Sequence, residues 1–450
     1  MRILHYSLGL PPYRSGGMTK YVNDIALEQS NYDDVNILFP GVVKAINKEV
    51  KIKYNCNLNG VKVYEIINPL PVSLLNGIKN IDRYIENKDE KVFLEYLKKM
   101  KFDIVNIHTF MGLPKEFLQA CKKMDIKIVY TTHDYFGICP KVNLLDFENN
   151  ICSNYNFKKC IKCNVNGNSY KKNLVLQSKL YRFLKSIKFL DSKKDCIKFL
   201  KKRSKKFKEK NIKETKEDYE ILFKYYKEMF LLIDKFIFNS SVTKSVFRKF
   251  LDVDGEIINL THKSISDNRK RKEYLNKELK ISFLGGDKKY KGYDLIINIM
   301  KSLNKKGINN IYLNIYGTNK KSKELNSLNI KFNGFYNYSM LNEIFSNTDL
   351  LIVPSLCFET YGFVTLEALS YGVPVLITET VGSKDILNNK ELKKGIICNY
   401  NDIENNIINI YKNRNILKEF NRNILSDSFD FDITTHCKIL KEAYINVLKI

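Results

Sequence analysis

Short apolar runs alternate with amphipathic segments through most of this 450-residue chain, and that rhythm restricts its fold more than any other feature. In the first half the runs are RILHYSL, VNILFP, VKVYEII, FDIVNIH and IKIVYTTH, with helix-patterned stretches such as MTKYVNDIALEQS between some of them. A second series begins near residue 280 with ISFLGG and continues through IYLNIYG, IKFNGF, LLIVPS and VPVLIT. Near-continuous apolar strands joined by helices make parallel sheets covered on both faces. Between the two series lies an irregular stretch, LDVDGEIINLTHKSISDN. The expected architecture is α/β, with two doubly wound, Rossmann-like domains over 1–255 and 268–430 and a linker near 252–268. Ligands of such folds bind beyond the carboxyl ends of the strands, and two facing domains make a cleft.

The charge is uneven. The chain carries a formal +26, and 25 basic against 11 acidic residues fall between 136 and 235, more than half of the excess. A/T-biased codon usage accounts for the abundance of Lys, Asn and Ile better than for this clustering. Residues 164–232 also break the β/α rhythm: Leu180, Phe183, Leu184 and Ile187, then Tyr219, Leu222, Phe223 and Tyr226, recur at helical spacing among lysines. They read as amphipathic helices inserted in the first domain, either a solvated face over a local core or a surface for anionic membrane or acceptor. Apolar runs are too short to cross a bilayer, and the N-terminus reads as a buried strand rather than a signal peptide. A cytoplasmic chain is expected.

The most specific string is PSLCFETYGFVTLEALSYGVPVL, residues 354–376. Glu359 ends a loop after a buried strand and Glu367 follows eight residues later. On a continuous helix that spacing leaves the two within roughly 80° of one face and about 12 Å apart along the axis. Two such carboxylates can hold different parts of one elongated ligand, with N–H donors at the helix start between them. A bare N-terminal Glu on a helix is common; the combined string is not.

Four cysteines, Cys139, Cys152, Cys160 and Cys163, lie within 25 residues and end in C-x-x-C. In a cytosolic chain this pattern leaves two readings, a closed structural zinc site or free, redox-active thiols. DVD at 252–254 and DFD at 430–432 sit in linker-like segments and are not read as metal sites. Of the five histidines, His5, His262 and His436 read as structural, His108 stays open because it ends a strand, and His133 ends another strand inside a distinctive string.

The string at 354–376 resembles the EX7E element of the group-one family of retaining glycosyltransferases with the GT-B fold. Other parts match in order. Ser15-Gly16-Gly17 before a helix is similar to the family's glycine loop, and IKIVYTTHDYFGICP to its strand followed by His-Asp. ISFLGGDKKYKGYDLIINIM resembles the first strand of the second domain, with Lys291-Gly292 in the phosphate-binding place. IKFNGF and DLLIVPS also match. The segment FDITTHCKILKEAYINVL, within 431–450, resembles the helix that crosses back to the first domain. The resemblance covers nearly the whole chain except the insertion.

It implies transfer of a sugar from a nucleotide-diphosphate sugar to a saccharide or lipid-linked acceptor, with retained configuration, no catalytic metal and no nucleic-acid partner. The implied setting is bacterial surface polysaccharide or glycolipid synthesis at the inner face of the cell membrane. By resemblance Lys291, Gly16, Gly17 and Gly285 attend the diphosphate. Glu359 with Thr360, Tyr361, Gly362 and Phe363 holds the donor sugar, Glu367 the ribose, and His133 lies near the transferred sugar. Phe335 falls where the family reads the base. One position departs: the family's Arg after the first strand of the second domain is Gly286 here, and a compact ammonium does not reproduce a guanidinium fork. A nucleotide-sugar epimerase or a phosphorylase of the same fold, or a non-catalytic basic binding protein, are the competing readings.

Overall fold

The computed structural model describes residues 1–44, 46–186, 213–320, 325, 328–387 and 392–449. Ile187 and the basic run up to residue 212, part of the expected insertion, lie outside the described residues. The chain divides into two compact units: Met1–Ile237 with Phe247–Glu256 and Cys437–Ile450, and Phe238–Val246 with Ile257–His436.

The first sheet has eight strands: β1 (Arg2–Tyr6), β2 (Asp34–Pro40), β3 (Lys51–Leu58), β4 (Val61–Ile67), β5 (Ile104–Ile107), β6 (Lys127–Thr131), β7 (Lys235–Phe238) and β8 (Gly255–Ile257). Their order is β3-β4-β2-β1-β5-β6-β7-β8. The pairings β4–β2, β2–β1, β1–β5, β5–β6 and β6–β7 are parallel. β5 is buried at every residue, as a strand packed on both faces must be. β3 is an addition to the expected set and pairs antiparallel with β4. Asn59 (φ 47°) and Gly60 (φ 96°) make its turn, since a two-residue hairpin loop needs positive φ.

The second sheet is parallel throughout: β9 (Leu279–Phe283), β10 (Ile311–Ile315), β11 (Ile330–Phe332), β12 (Leu350–Val353), β13 (Val375–Thr378) and β14 (Gly395–Cys398), ordered β11-β10-β9-β12-β13-β14. β9 lies between its successor β10 on one side and β12 on the other, so the chain runs outward in both directions from β9. The order reverses there, which puts a topological switch point at its carboxyl end. Helix Tyr293–Lys305 covers one face through Ile296, Met300 and Leu303; Leu366 and Leu369 of helix Phe363–Leu369 pack on the other. Both faces of the sheet are thereby withdrawn from water, the main favourable term in folding.

Helix Lys216–Phe230 opens on a complete capping box, Thr215 with Asp218, and buries Tyr219, Leu222, Phe223 and Tyr226. That part of the expected insertion is therefore a core helix of the first unit. Helix Lys179–Ser186 instead leaves Leu180 and Phe183 exposed. Helix Ile433–Leu448 belongs to the first unit from Cys437 onward: Lys441 Nζ meets Asp33 Oδ2 at 3.0 Å and the Tyr444 hydroxyl accepts from Asn106 Nδ2 at 2.7 Å. Among the described residues no helix is long and apolar enough to cross a membrane.

Candidate functional site

In the second unit the site is built at the ends of β9 and β12. After β9 the chain turns at Gly286, whose φ is 65° and whose N–H donates to Tyr316 O at 3.0 Å. A Cβ at Gly286 would lie 2.8 Å from the Gly317 carbonyl oxygen, so no side chain fits here without moving backbone. A cationic side chain at this position would have to displace that carbonyl. Of the following lysines, Lys288 is exposed, and Lys289 is exposed with its ammonium 3.6 Å from Asp294. Lys291 differs: it is partly buried and its ammonium pairs with Glu359 Oε1. Burial works against the Lys291 charge, but Glu359 outweighs it and holds the pKa above the ordinary lysine value.

Gly292, in the left-handed region at φ 84°, then starts helix Tyr293–Lys305. Gly285 is partly buried beside Phe283.

Glu359 is held from both ends. Its N–H donates to Thr380 O at 3.0 Å, its carbonyl accepts from Gly382 N at 2.9 Å, and its Oε2 accepts from Ser355 Oγ at 2.5 Å. It therefore stands in extended backbone bridged to Val381, ahead of the helix. The expectation that the helix opens within residues 359–363, on which the spacing of roughly 80° and about 12 Å rests, is corrected here. Gly362 takes φ 94° and the helix begins only at Phe363. Thr360 and Tyr361 belong to the same tied segment: their carbonyls accept from Ser240 Oγ at 2.7 Å and Ser383 N at 2.7 Å. The Tyr361 ring is buried and lies 5.3 Å from that of Phe363.

Glu367 lies inside the helix and is 4% exposed. Its Oε1 faces His262 Nε2 at 3.4 Å, while its Oε2 is buried without a hydrogen-bond partner. His262 Nδ1 accepts from Ser264 N at 3.3 Å, which leaves the proton of a neutral ring on Nε2, toward the carboxylate. A lone buried His reads as structural; only the fold shows it beside Glu367. The Tyr338 ring lies 5.1 Å from that of His262 at a tilt of 60° and, like Phe335, is exposed.

In the first unit Gly16 (φ 143°) precedes helix Gly17–Gln29, and a Cβ there would meet nothing within 4 Å. Tyr21 of that helix lies 4.9 Å from the ring of His133. His133, two residues past β6, bonds through Nε2 to His108 Nδ1 at 3.0 Å. His108 Nε2 in turn meets His5 Nδ1 at 3.1 Å, and His5 Nε2 meets Gln29 Oε1 at 2.8 Å. Burial lowers the pKa of His5 to about 4, against the raising effect of Gln29, and takes His108 well below the ordinary histidine value. Asp134 is also buried. Burial raises its pKa to about 6, although Phe136 N and Thr109 Oγ1 donate to it at 2.9 Å each.

Cys139, Cys152, Cys160 and Cys163 are all free and line one small cavity of about 40 Å³. Burial pushes all four thiols up, Cys152 to about 11, so they are protonated at neutral pH. Among the described residues no three His, Cys, Asp or Glu side chains are grouped closely enough to hold a metal ion. The acids of the DFD string serve other ends: Asp432 caps helix Ile433–Leu448 by accepting from Thr435 N at 2.8 Å, and Asp430 accepts from Ser428 Oγ at 2.5 Å.

Residues 264–426 match the family described as glycosyl transferases group 1. A Klebsiella pneumoniae protein described as an uncharacterized 41.2 kDa protein in the cps region is 24% identical over 331 residues, 72% of this chain and 73% of its own. Among solved structures, Anabaena HepE in complex with UDP and glucose is similar with a TM-score of 0.53 at 13% identity, over 98% of each chain. WaaG, a glycosyltransferase involved in lipopolysaccharide biosynthesis, is similar with a TM-score of 0.53 at 14% identity, over 99% of each chain. The chain therefore has the GT-B fold of these glycosyltransferases, and its residues 264–426 match the group 1 glycosyl transferase family.

Proposed function

We propose that this chain is a retaining transferase that moves a sugar from a nucleotide-diphosphate sugar to a saccharide or lipid-linked acceptor. The observation that carries the reading is the pairing of a partly buried Lys291 with Glu359, in the same unit as a buried Glu367 whose Oε2 lacks a partner. An unsatisfied buried carboxylate oxygen is costly unless a ligand completes it. Ribose hydroxyls are donors of the right kind. Lys291 has three N–H donors, of which Glu359 takes one, so the others can reach the diphosphate.

In the proposed reaction the acceptor hydroxyl attacks the anomeric carbon on the face the diphosphate leaves. The bond from that carbon to the phosphate oxygen breaks, and the acceptor's proton passes to the leaving phosphate. Lys291 stabilises the charge growing on that phosphate, which is transition-state stabilisation by a fixed cation. Glu359 and the segment through Phe363 orient the sugar. Catalysis by these groups needs no metal.

The cps-region relative and the lipopolysaccharide enzyme favour surface polysaccharide or glycolipid assembly in a bacterium, and the UDP complex favours a nucleotide donor. The basic stretch at 136–235 favours a peripheral place at the inner face of the membrane, where anionic lipid attracts Lys and Arg.

The test is a panel of nucleotide sugars scored by thermal stabilisation. A ligand at 100 times its Kd stabilises by about 2.7 kcal/mol. The stabilising donor is then incubated with candidate acceptors, and a new glycoside plus free nucleoside diphosphate is expected. Conversion of the donor to an isomeric nucleotide sugar without acceptor would make the chain an epimerase and overturn the proposal.

A further inference from the structure

At one edge the sheet of the first unit ends in the β3–β4 hairpin, where Tyr54 stands directly across from Tyr64. Cross-strand partners project from the same face, and the two rings meet edge to face with centroids 5.8 Å apart. Helix Glu90–Met100 adds Tyr96, whose ring lies 5.3 Å from that of Tyr64. The three rings descend from the surface toward the core: Tyr54 is 58% exposed, Tyr64 is half-buried and Tyr96 is buried. They line an open groove of about 800 Å³ shared by the hairpin and the helix. None of the residues assigned above to the donor or the transferred sugar lines it.

The charges around these rings cancel. Four lysines and four acids line the groove, although the chain as a whole carries +26. Glu49 pairs with Lys51 at 2.9 Å and Glu86 with Lys88 at 3.4 Å. Asp89 caps the helix by accepting from Lys91 N at 3.0 Å. A surface for anionic lipid or nucleic acid needs cations in excess. This groove suits an uncharged ligand instead.

A smaller pocket adjoins it, with Lys48, Glu86 and Lys88 common to the two. Its space of about 20 Å³ admits one hydroxyl group or one water. Asn173 and Gln177, one helical turn apart and each 1% exposed, line this pocket. Gln177 Oε1 accepts from Val72 N at 2.9 Å, which fixes the amide and leaves Nε2 buried without a partner among the described residues. Asn173 Nδ2 donates to the Tyr84 hydroxyl at 2.8 Å, and its Oδ1 is likewise buried and unpartnered. Buried polar atoms left unmet are costly. Here one is a donor and the other an acceptor, and a hydroxyl group answers both.

We infer that the groove is a carbohydrate-binding site of the first unit, which takes a neutral oligosaccharide with its pyranose faces on Tyr54 and Tyr64 and one hydroxyl between Asn173 and Gln177. A pyranose carries C–H bonds on its faces and hydroxyls at its rim. The C–H bonds suit the negative face of a tyrosine ring. The rim suits a few fixed polar groups at the margin of an aromatic wall. The site does not rest on the transferase reading, since it holds a saccharide chain without reacting with it. For an enzyme that extends a polysaccharide, such a grip would keep the chain at high effective concentration between additions.

The experiment probes an array of neutral bacterial and plant oligosaccharides with the full chain, then titrates the strongest ligand by calorimetry. At least one neutral oligosaccharide is expected to bind. Tyr54→Ala removes a ring that stands mostly in solvent, and a Kd roughly tenfold weaker is expected, with Tyr54→Phe within about twofold of wild type. Gln177→Glu keeps an oxygen for Val72 N but loses the donor, and a loss of similar size is expected. Should that buried variant not fold by circular dichroism, Tyr54→Ala carries the test alone. Thermal stabilisation by a nucleotide sugar is expected to be the same in wild type and folded variants, which separates this site from the donor site. Failure of every neutral glycan to bind overturns the inference, as does wild-type affinity in Tyr54→Ala or in folded Gln177→Glu. A chain that binds glycan through Tyr54 but no nucleotide sugar would sink the transferase proposal and uphold this site.

Discussion

Glu367→Gln separates a ligand-binding acid from a structural one, because the two roles predict opposite signs. In the free protein Glu367 is 4% exposed, faces His262 Nε2 at 3.4 Å and leaves Oε2 buried without a partner. Burying an unpaired carboxylate oxygen costs more than burying an amide. The Gln variant keeps an acceptor oxygen for His262 and turns its NH2 to the other position. Its melting temperature is therefore expected to hold or rise, by about 2–4 °C for each kcal/mol gained. Ligand binding moves the other way. A ribose hydroxyl that donated to the carboxylate now meets a donor, and hydrogen bonds to charged groups contribute about 1.5–3 kcal/mol. That converts to a Kd roughly 10- to 100-fold weaker for nucleoside diphosphate or its sugar, read by isothermal titration calorimetry. Stability bought at the expense of binding is the usual signature of a site residue. A variant that melts lower while binding the nucleotide within twofold of wild type would falsify the ribose assignment and leave Glu367 a structural partner of His262.

Gly292→Ala is expected to destabilise, since φ is 84° and a Cβ there would overlap the Pro354 carbonyl. The left-handed conformation alone costs about 1–2 kcal/mol, so a melting point lower by at least about 2 °C is expected, and an unchanged one would refute the geometry. Asp134 has a pKa raised to about 6 from 3.8 by burial. The native state then holds its proton more tightly than the unfolded one, so the stability this group contributes is complete below pH 3.8 and is lost as pH rises through 6. The difference, about 3 kcal/mol, should vanish in Asp134→Asn when denaturant unfolding of the two proteins is compared between pH 4 and 7. The Cys152 thiol, pushed up to about 11, should react slowly with iodoacetamide at pH 7.5 and about tenfold faster per pH unit above it. Fast labelling at neutral pH would show a thiolate there.

The parallel sheets were legible because a strand covered on both faces needs apolar residues at every position, and β5 and β12 are buried throughout. β3 could also have been read: KIKYNCNL alternates with period two and ends on Asn-Gly, the strongest short hairpin signal. Its solvent-facing lysines and asparagines hid it from a search for apolar runs. The histidine file could not be read. Residues 5, 29, 108 and 133 are brought together by strand order, and nothing local distinguishes His5 from an ordinary core histidine. His262 was missed beside Glu367 for the same reason.

The two acids show how a sequence motif can suggest a geometry that the fold does not adopt. Eight residues suggested two turns of one helix, yet only Phe363 to Leu369 are helical and Glu359 is bridged to Val381. What fixes the acids is a bend followed by a single turn of helix, and the bend depends on Gly362. At φ 94° an L side chain is strained, and a Cβ would stand 3.3 Å from Glu359 Oε1 and 3.1 Å from Val381. That oxygen is the one paired with Lys291. A residue larger than glycine would ask Val381 and the ion-paired carboxylate to give by a few tenths of an ångström, on top of the strained backbone. The spacing between the acids therefore follows from the bend at Gly362 rather than from helical periodicity.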